Sequence, residues 1–120
     1  MKSKEILIVE DDPIVSLSLK HVLRSWGFEA AVVPSGEEAL VFVKGCAGLG
    51  LILMDIRLKG ELDGIETAGM IRRDSDIPVI FLTAYVDPQI IKRIGDSGAF
   101  GYLEKPYNNE ELKEIISRVL

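Results

Sequence analysis

Along the whole chain, short apolar runs alternate with stretches in which apolar residues recur every three or four positions. The runs occupy residues 6–9, 30–33, 51–54, 79–82 and 99–103, each bounded by charge, glycine or proline. Several are rich in valine and isoleucine. Runs that are apolar at every position, not at every second one, are expected of strands buried on both faces. The intervening stretches carry helix signals. Asp12 before Pro13 predicts an N-cap followed by proline at the first helical position, and Val15, Leu19, Val22, Leu23 and Trp26 then recur at helical spacing up to a stop at Gly27. Ser35 with Glu38 predicts a capping box, and Asp63 with Glu66 an acidic analogue of one. Asp87-Pro88 repeats the first pattern, and Asn109 is expected to cap a last helix with the inner stripe Leu112, Ile115, Ile116 and Val119.

Strand and helix thus alternate five times. Such alternation predicts an α/β fold: a parallel sheet with right-handed crossovers and helices on both faces. Ligands of these sheets bind beyond the carboxyl ends of the strands. At those ends stand Glu10 and Asp11 after the first run, Asp55 after the third, Thr83 after the fourth, and Glu104, Lys105 and Pro106 after the fifth. A carboxylate after a strand is most simply a helix cap, and Asp12 has that duty, which leaves Glu10 and Asp11 without one. Acids from two strands gathered at one edge repel each other unless a cation intervenes. An all-oxygen cluster suits a hard divalent ion, Mg²⁺ or Mn²⁺, with Lys105 as a fixed charge opposite.

Composition narrows the function classes. A length of 120 residues is expected to hold one domain, 1–120. Fourteen Lys+Arg against 19 Asp+Glu give a net charge of −5 with no basic run, so neither direct nucleic-acid binding nor attachment to a membrane surface is expected. The apolar runs are too short for a signal peptide or a transmembrane helix, and Cys46 has no second cysteine with which to pair, so a cytoplasmic protein is expected.

The segments Ile6-Leu7-Ile8-Val9-Glu10-Asp11-Asp12-Pro13, Leu53-Met54-Asp55, Leu82-Thr83-Ala84 and Gly101-Tyr102-Leu103-Glu104-Lys105-Pro106 resemble the signature positions of two-component response-regulator receiver domains, in order and at nearly the family's spacing. The resemblance covers the whole chain. It implies a flavodoxin-like (βα)5 fold with strand order 2-1-3-4-5, and a phosphorelay switch that accepts a phosphoryl group from a sensor histidine kinase or phosphotransfer protein. Asp55 would be the acceptor, Asp11 a direct Mg²⁺ ligand and Glu10 one acting through water, with the main-chain carbonyl of Arg57 completing the protein ligands. Thr83 and Lys105 would contact the phosphoryl oxygens, Ala84 would leave room for them, and Tyr102 would be the aromatic switch. Lys105-Pro106 would be a cis peptide. A homodimer through the fourth helix, fifth strand and fifth helix is also implied. Such a domain promotes its own phosphorylation and dephosphorylation and does not turn over an external substrate.

Two features depart from the commoner family pattern. The loop from Asp55 to Gly64, Ile56-Arg57-Leu58-Lys59-Gly60-Glu61-Leu62-Asp63, is one residue longer and lacks a proline near Lys59, so it is expected to be more mobile. Arg57 and Tyr85 stand two residues after Asp55 and Thr83, where side chains tune phosphoryl lifetime in this family. Their bulk is expected to hinder an attacking water. His21, Met54, Lys92, Arg93 and Arg118 are read as ordinary packed or solvated side chains.

Rival readings fit less well. An aspartyl-intermediate phosphatase would need a second acid where Arg57 stands, and far more chain. A nucleotide-binding domain would need a glycine-rich loop after the first strand, where Glu10-Asp11-Asp12 would repel phosphate. The alternative within the family is a degenerate receiver that acts only through protein contacts, against which Asp11, Asp55, Thr83 and Lys105 argue together. Phosphorylation by acetyl phosphate separates the two, as would Mg²⁺ quenching of Trp26 if its ring lies near the acids. The last apolar stripe reaches the end of the sequence, so no effector is expected within it. A stand-alone regulator, a relay module and a piece of a larger protein all fit.

Overall fold

A computed structural model describes residues 5–120 of the chain. Strands β1 (Glu5–Val9), β2 (Glu29–Val33), β3 (Leu49–Met54), β4 (Val79–Thr83) and β5 (Gly101–Glu104) form a parallel sheet in the order β2-β1-β3-β4-β5. Between and after them lie α1 (Pro13–Ser25), α2 (Gly36–Gly45), α3 (Gly64–Asp74), α4 (Pro88–Asp96) and α5 (Asn109–Val119). The fold class and the strand order are those expected.

Successive strand side chains point to opposite faces. Ile6, Ile8, Leu51, Leu53, Ile80 and Leu82 pack against Leu19 and Leu23 of α1 and Leu112 and Ile116 of α5. Leu7, Val9, Ile52, Met54 and Phe81 face the other way, onto Ala39 of α2, Ile65, Ala68 and Ile71 of α3, and Ile94 of α4. This cover on both faces is why the central strands are apolar at every position. The border strands do not share it. No residue of β2 or β5 is fully buried, since each has a neighbouring strand on one side only. The last strand also starts later than expected, at Gly101. Phe100 before it is exposed, although its N–H still bonds the Val79 carbonyl at 2.9 Å.

Helix starts follow the sequence with three corrections. In α1 the buried stripe is Ser16, Leu19 and Leu23, and Val15 is exposed. Ser16 tolerates the position because its hydroxyl donates to the Pro13 carbonyl at 3.2 Å. The cap of α5 is Asn108, not Asn109. Asn108 Oδ1 accepts the Glu111 N–H at 2.8 Å, and Glu111 Oε1 accepts the Asn108 N–H at 3.3 Å. The residue three after Asn109 is Leu112, which is buried and has nothing to return. At α2 the Glu38 N–H bonds Ser35 Oγ at 3.2 Å, but among the described residues no reciprocal bond completes the box. Asp12, Asp63 and Asp87 cap α1, α3 and α4 as expected, and the Asp63–Glu66 box is complete.

Trp26 lies at the far end of α1, roughly 20 Å of helix from Asp12 at about 1.5 Å per residue. Lys113 Nζ of α5 lies 5.5 Å from its ring centroid. The ring is therefore out of reach of the acids, and quenching by an ion bound there is not a usable signal.

Candidate functional site

The acids at the carboxyl edge are aimed by backbone bonds that continue the sheet. The Glu10 N–H donates to the Val33 carbonyl at 3.1 Å, one residue beyond the end of β1. The Asp55 N–H donates to the Val9 carbonyl at 3.0 Å, one residue beyond the end of β3. The Lys105 N–H donates to the Thr83 carbonyl at 2.7 Å, just after β5. Asp12 turns away to cap α1, its Oδ1 accepting the Ile14 N–H at 2.9 Å, while its own N–H bonds Glu10 Oε2 at 3.1 Å.

One carboxylate oxygen from each of Glu10, Asp11 and Asp55 lies within 4.8 Å of the other two. Lys105 Nζ stands 3.2 Å from Glu10 Oε1 and 3.7 Å from Asp55 Oδ2. Little water reaches the group: the Glu10 and Asp55 side chains are 7% and 16% exposed. Burial pushes the Glu10 carboxyl up from its ordinary range, and the Asp55 charge adds to this against the Asp12 amide and Lys105. Burial likewise raises Asp55, opposed by Lys105 and by the amides of Arg57 and Ile56. Three acids and one lysine leave net negative charge in a half-dry cleft. This is an all-oxygen donor set of the kind a hard divalent cation takes, so the residues present fit such an ion.

The remaining expected residues surround this cluster or stand apart from it. Thr83 is buried at the end of β4, and its hydroxyl is taken up by Tyr85, donating to the carbonyl at 3.2 Å and accepting the N–H at 3.3 Å. Arg57 and Ala84 are exposed, and the Arg57 guanidinium lies 5.3 Å from the Tyr85 ring centroid. Tyr102 on border strand β5 is 36% exposed. The Lys105–Pro106 peptide is cis.

Two residues emerge that sequence reading did not single out. Tyr107 lines a small cavity with Glu10, Asp55 and Lys105, and burial, with Glu10 adding, pushes its phenol up. Its place two residues after Lys105 is the one signal that could have found it. Gly64 donates its N–H to the Ile56 carbonyl at 2.7 Å, and a Cβ there would run into the Asp55 carbonyl oxygen. Nothing local in the sequence marks that approach.

Comparison with known proteins places these features in context. The family model described as response regulator receiver domain matches residues 6–117. The DNA-binding response regulator MtrA of Mycolicibacterium smegmatis is 37% identical over 97% of this chain and 49% of its own length. The chain thus spans about half the length of the curated relatives it matches. Among solved structures, Vibrio cholerae chemotaxis protein CheY4 superposes with a TM-score of 0.91 at 27% identity, covering 99% of this chain and 100% of that one. The receiver domain of sensor histidine kinase PA1611 from Pseudomonas aeruginosa has a TM-score of 0.88 at 32% identity over 98% of both chains, and holds a magnesium ion in its active site cleft.

Proposed function

The chain belongs to the response regulator receiver family, and from that premise we propose that it is a phosphorylation-dependent switch whose acceptor is Asp55. The reading rests above all on the cluster of Glu10, Asp11 and Asp55 faced by Lys105. The donor is a sensor histidine kinase or a phosphotransfer protein. DNA binding belongs to the longer relatives. Glu10, Asp11 and Asp55, with the main-chain carbonyl of Arg57, would hold Mg²⁺ or Mn²⁺, which when bound neutralises charge on the acceptor and on the arriving group.

Asp55 attacks phosphorus as the carboxylate. A bond forms from its oxygen to phosphorus as the bond to the donor nitrogen or oxygen breaks, and the donor leaves with that electron pair. Lys105 offsets the charge gathering on the phosphoryl oxygens, so positioning and electrostatics carry the rate. Thr83 gives up its bonds to the Tyr85 backbone to donate to a phosphoryl oxygen, and Tyr102 turns inward from its half-exposed position on β5. A local charge change thus biases a two-state packing element. Exposed Ile91 on α4, together with Tyr102, makes the α4-β5-α5 face the surface for a homodimer.

The test is incubation of the chain with acetyl phosphate. With Mg²⁺ the intact mass is expected to rise by one phosphoryl group, and with a chelator it is not. A chain that stays unmodified under both conditions would refute the assignment. The Arg57–Tyr85 pair, with the guanidinium 5.3 Å from the ring centroid, supports slow loss of the group, because two bulky side chains occupy the positions that tune phosphoryl lifetime in this family. Arg57→Asn combined with Tyr85→Glu is expected to speed dephosphorylation about tenfold, a barrier change of roughly 1.4 kcal/mol. An unchanged decay rate would remove the shielding role.

A further inference from the structure

The loop between β3 and α3, longer than the commoner family form, is expected from sequence to be loose. In the structure both of its flanks are fastened. Toward α4, Asp63 caps α3 and also accepts from Arg93 Nη2 at 2.8 Å. Toward α2, Lys59 forms an isolated parallel bridge with Ser35. The Glu61 N–H donates to Glu37 Oε2 at 3.1 Å. Between these two contacts Gly60 has a φ of +101°, and a Cβ there would lie 2.8 Å from Glu37 Oε1. The positive φ favours glycine here, and its missing side chain leaves room for the Glu37 carboxylate. The carboxylate itself sits in the first turn of α2, where the helix N-terminus favours negative charge. A backbone N–H given to an ionised acid is among the stronger hydrogen bonds.

We propose that Glu37 of α2 is a positioning residue for the acidic site, holding the β3–α3 loop so that the Arg57 carbonyl faces the ion. It touches neither the ion nor the phosphoryl group. Lys59, Gly60 and Glu61 follow Arg57 by two to four residues, so their contacts with α2 tether the chain on the side of Arg57 away from β3. The extra residue that lengthens the loop is thereby accommodated by one acid on a neighbouring helix. Outer-shell groups of this kind commonly govern metal affinity.

This inference rests on the site reading above, and the experiment separates the two. Mg²⁺ affinity is measured by calorimetry on the full chain, alongside amide hydrogen exchange of residues 57–62. Glu37→Ala is expected to weaken Mg²⁺ binding about tenfold and to speed exchange at the Glu61 amide, with thermal stability little changed. Glu37→Gln, which keeps an acceptor oxygen, is expected to recover most of both. Glu38→Ala, exposed on the same turn, serves as the control and is expected to leave both unchanged. Wild-type affinity in Glu37→Ala overturns the role of Glu37 alone. Absence of Mg²⁺ binding in the wild type overturns the site reading and this one with it.

Discussion

Asp55→Asn is expected to abolish the phosphoryl adduct and, without Mg²⁺ at neutral pH, to raise the melting temperature by a few degrees, roughly the shift of a modest stabilisation in a domain this size. The two effects have one origin. Burial raises the Asp55 carboxyl above its ordinary range in the folded protein. A carboxyl of that kind favours the native state while it is protonated. Its stabilising effect is fully present below the unfolded value, falls as pH climbs from the unfolded to the folded value, and is gone above both. At neutral pH the charged acid is therefore a cost to folding, and the neutral amide removes it. The same substitution is expected to gain nothing at a pH below both values. Thermal scans at neutral and acidic pH check this, and a lower melting temperature at neutral pH would show that Asp55 is held mainly by Lys105.

Gly64→Ala is the substitution expected to cost most stability, about 3 kcal/mol or more. The added Cβ would meet the Asp55 carbonyl oxygen and would lie 2.9 Å from the Ile56 Cα. Both are backbone atoms, and neither can rotate away as a side chain does. The start of α3 or the end of β3 has to move, and Asp55 moves with it. Urea unfolding measures the loss, and Mg²⁺ affinity is expected to fall in the same variant. Gly69→Ala, within the same helix where a Cβ meets nothing within 4 Å, is expected to be stabilising by up to about 1 kcal/mol. An unchanged urea midpoint for Gly64→Ala would contradict the close approach.

What the sequence made legible is what depends on local pattern. Residues 6–9 and 51–54 read as fully covered strands because they lie inside the sheet, where period-two alternation is erased. The run at 99–103 was misplaced at its start, since a border strand carries half a pattern. Asp12, Asp63 and Asp87 were readable as caps, whereas Asn108 and Asn109 offered the same chemistry and only the partner at the third helical position decides between them. The meeting of Glu10, Asp11, Asp55 and Lys105 followed from topology, since a parallel sheet brings strand ends together whatever their separation in sequence. Gly64 and Glu37 were invisible because their importance comes from a segment distant in sequence, the end of β3 for one and the β3–α3 loop for the other, and Tyr107 was marked only by its place beside Lys105. The contacts of the β3–α3 loop were hidden for the same reason: its fastenings lie on α2 and α4, which no local reading of residues 56–63 includes.

Lys105 follows β5 at the sheet's border, while Glu10 and Asp55 extend β1 and β3 in its middle. The two kinds of support differ in stiffness: the middle is clamped on four sides by strands and helices, and the border is open on one. One ammonium shared between two acids has to be re-divided whenever charge at Asp55 changes. The compliant partner is the one expected to take up that adjustment, so a change of charge at the centre of this molecule is expected to appear as displacement at its rim.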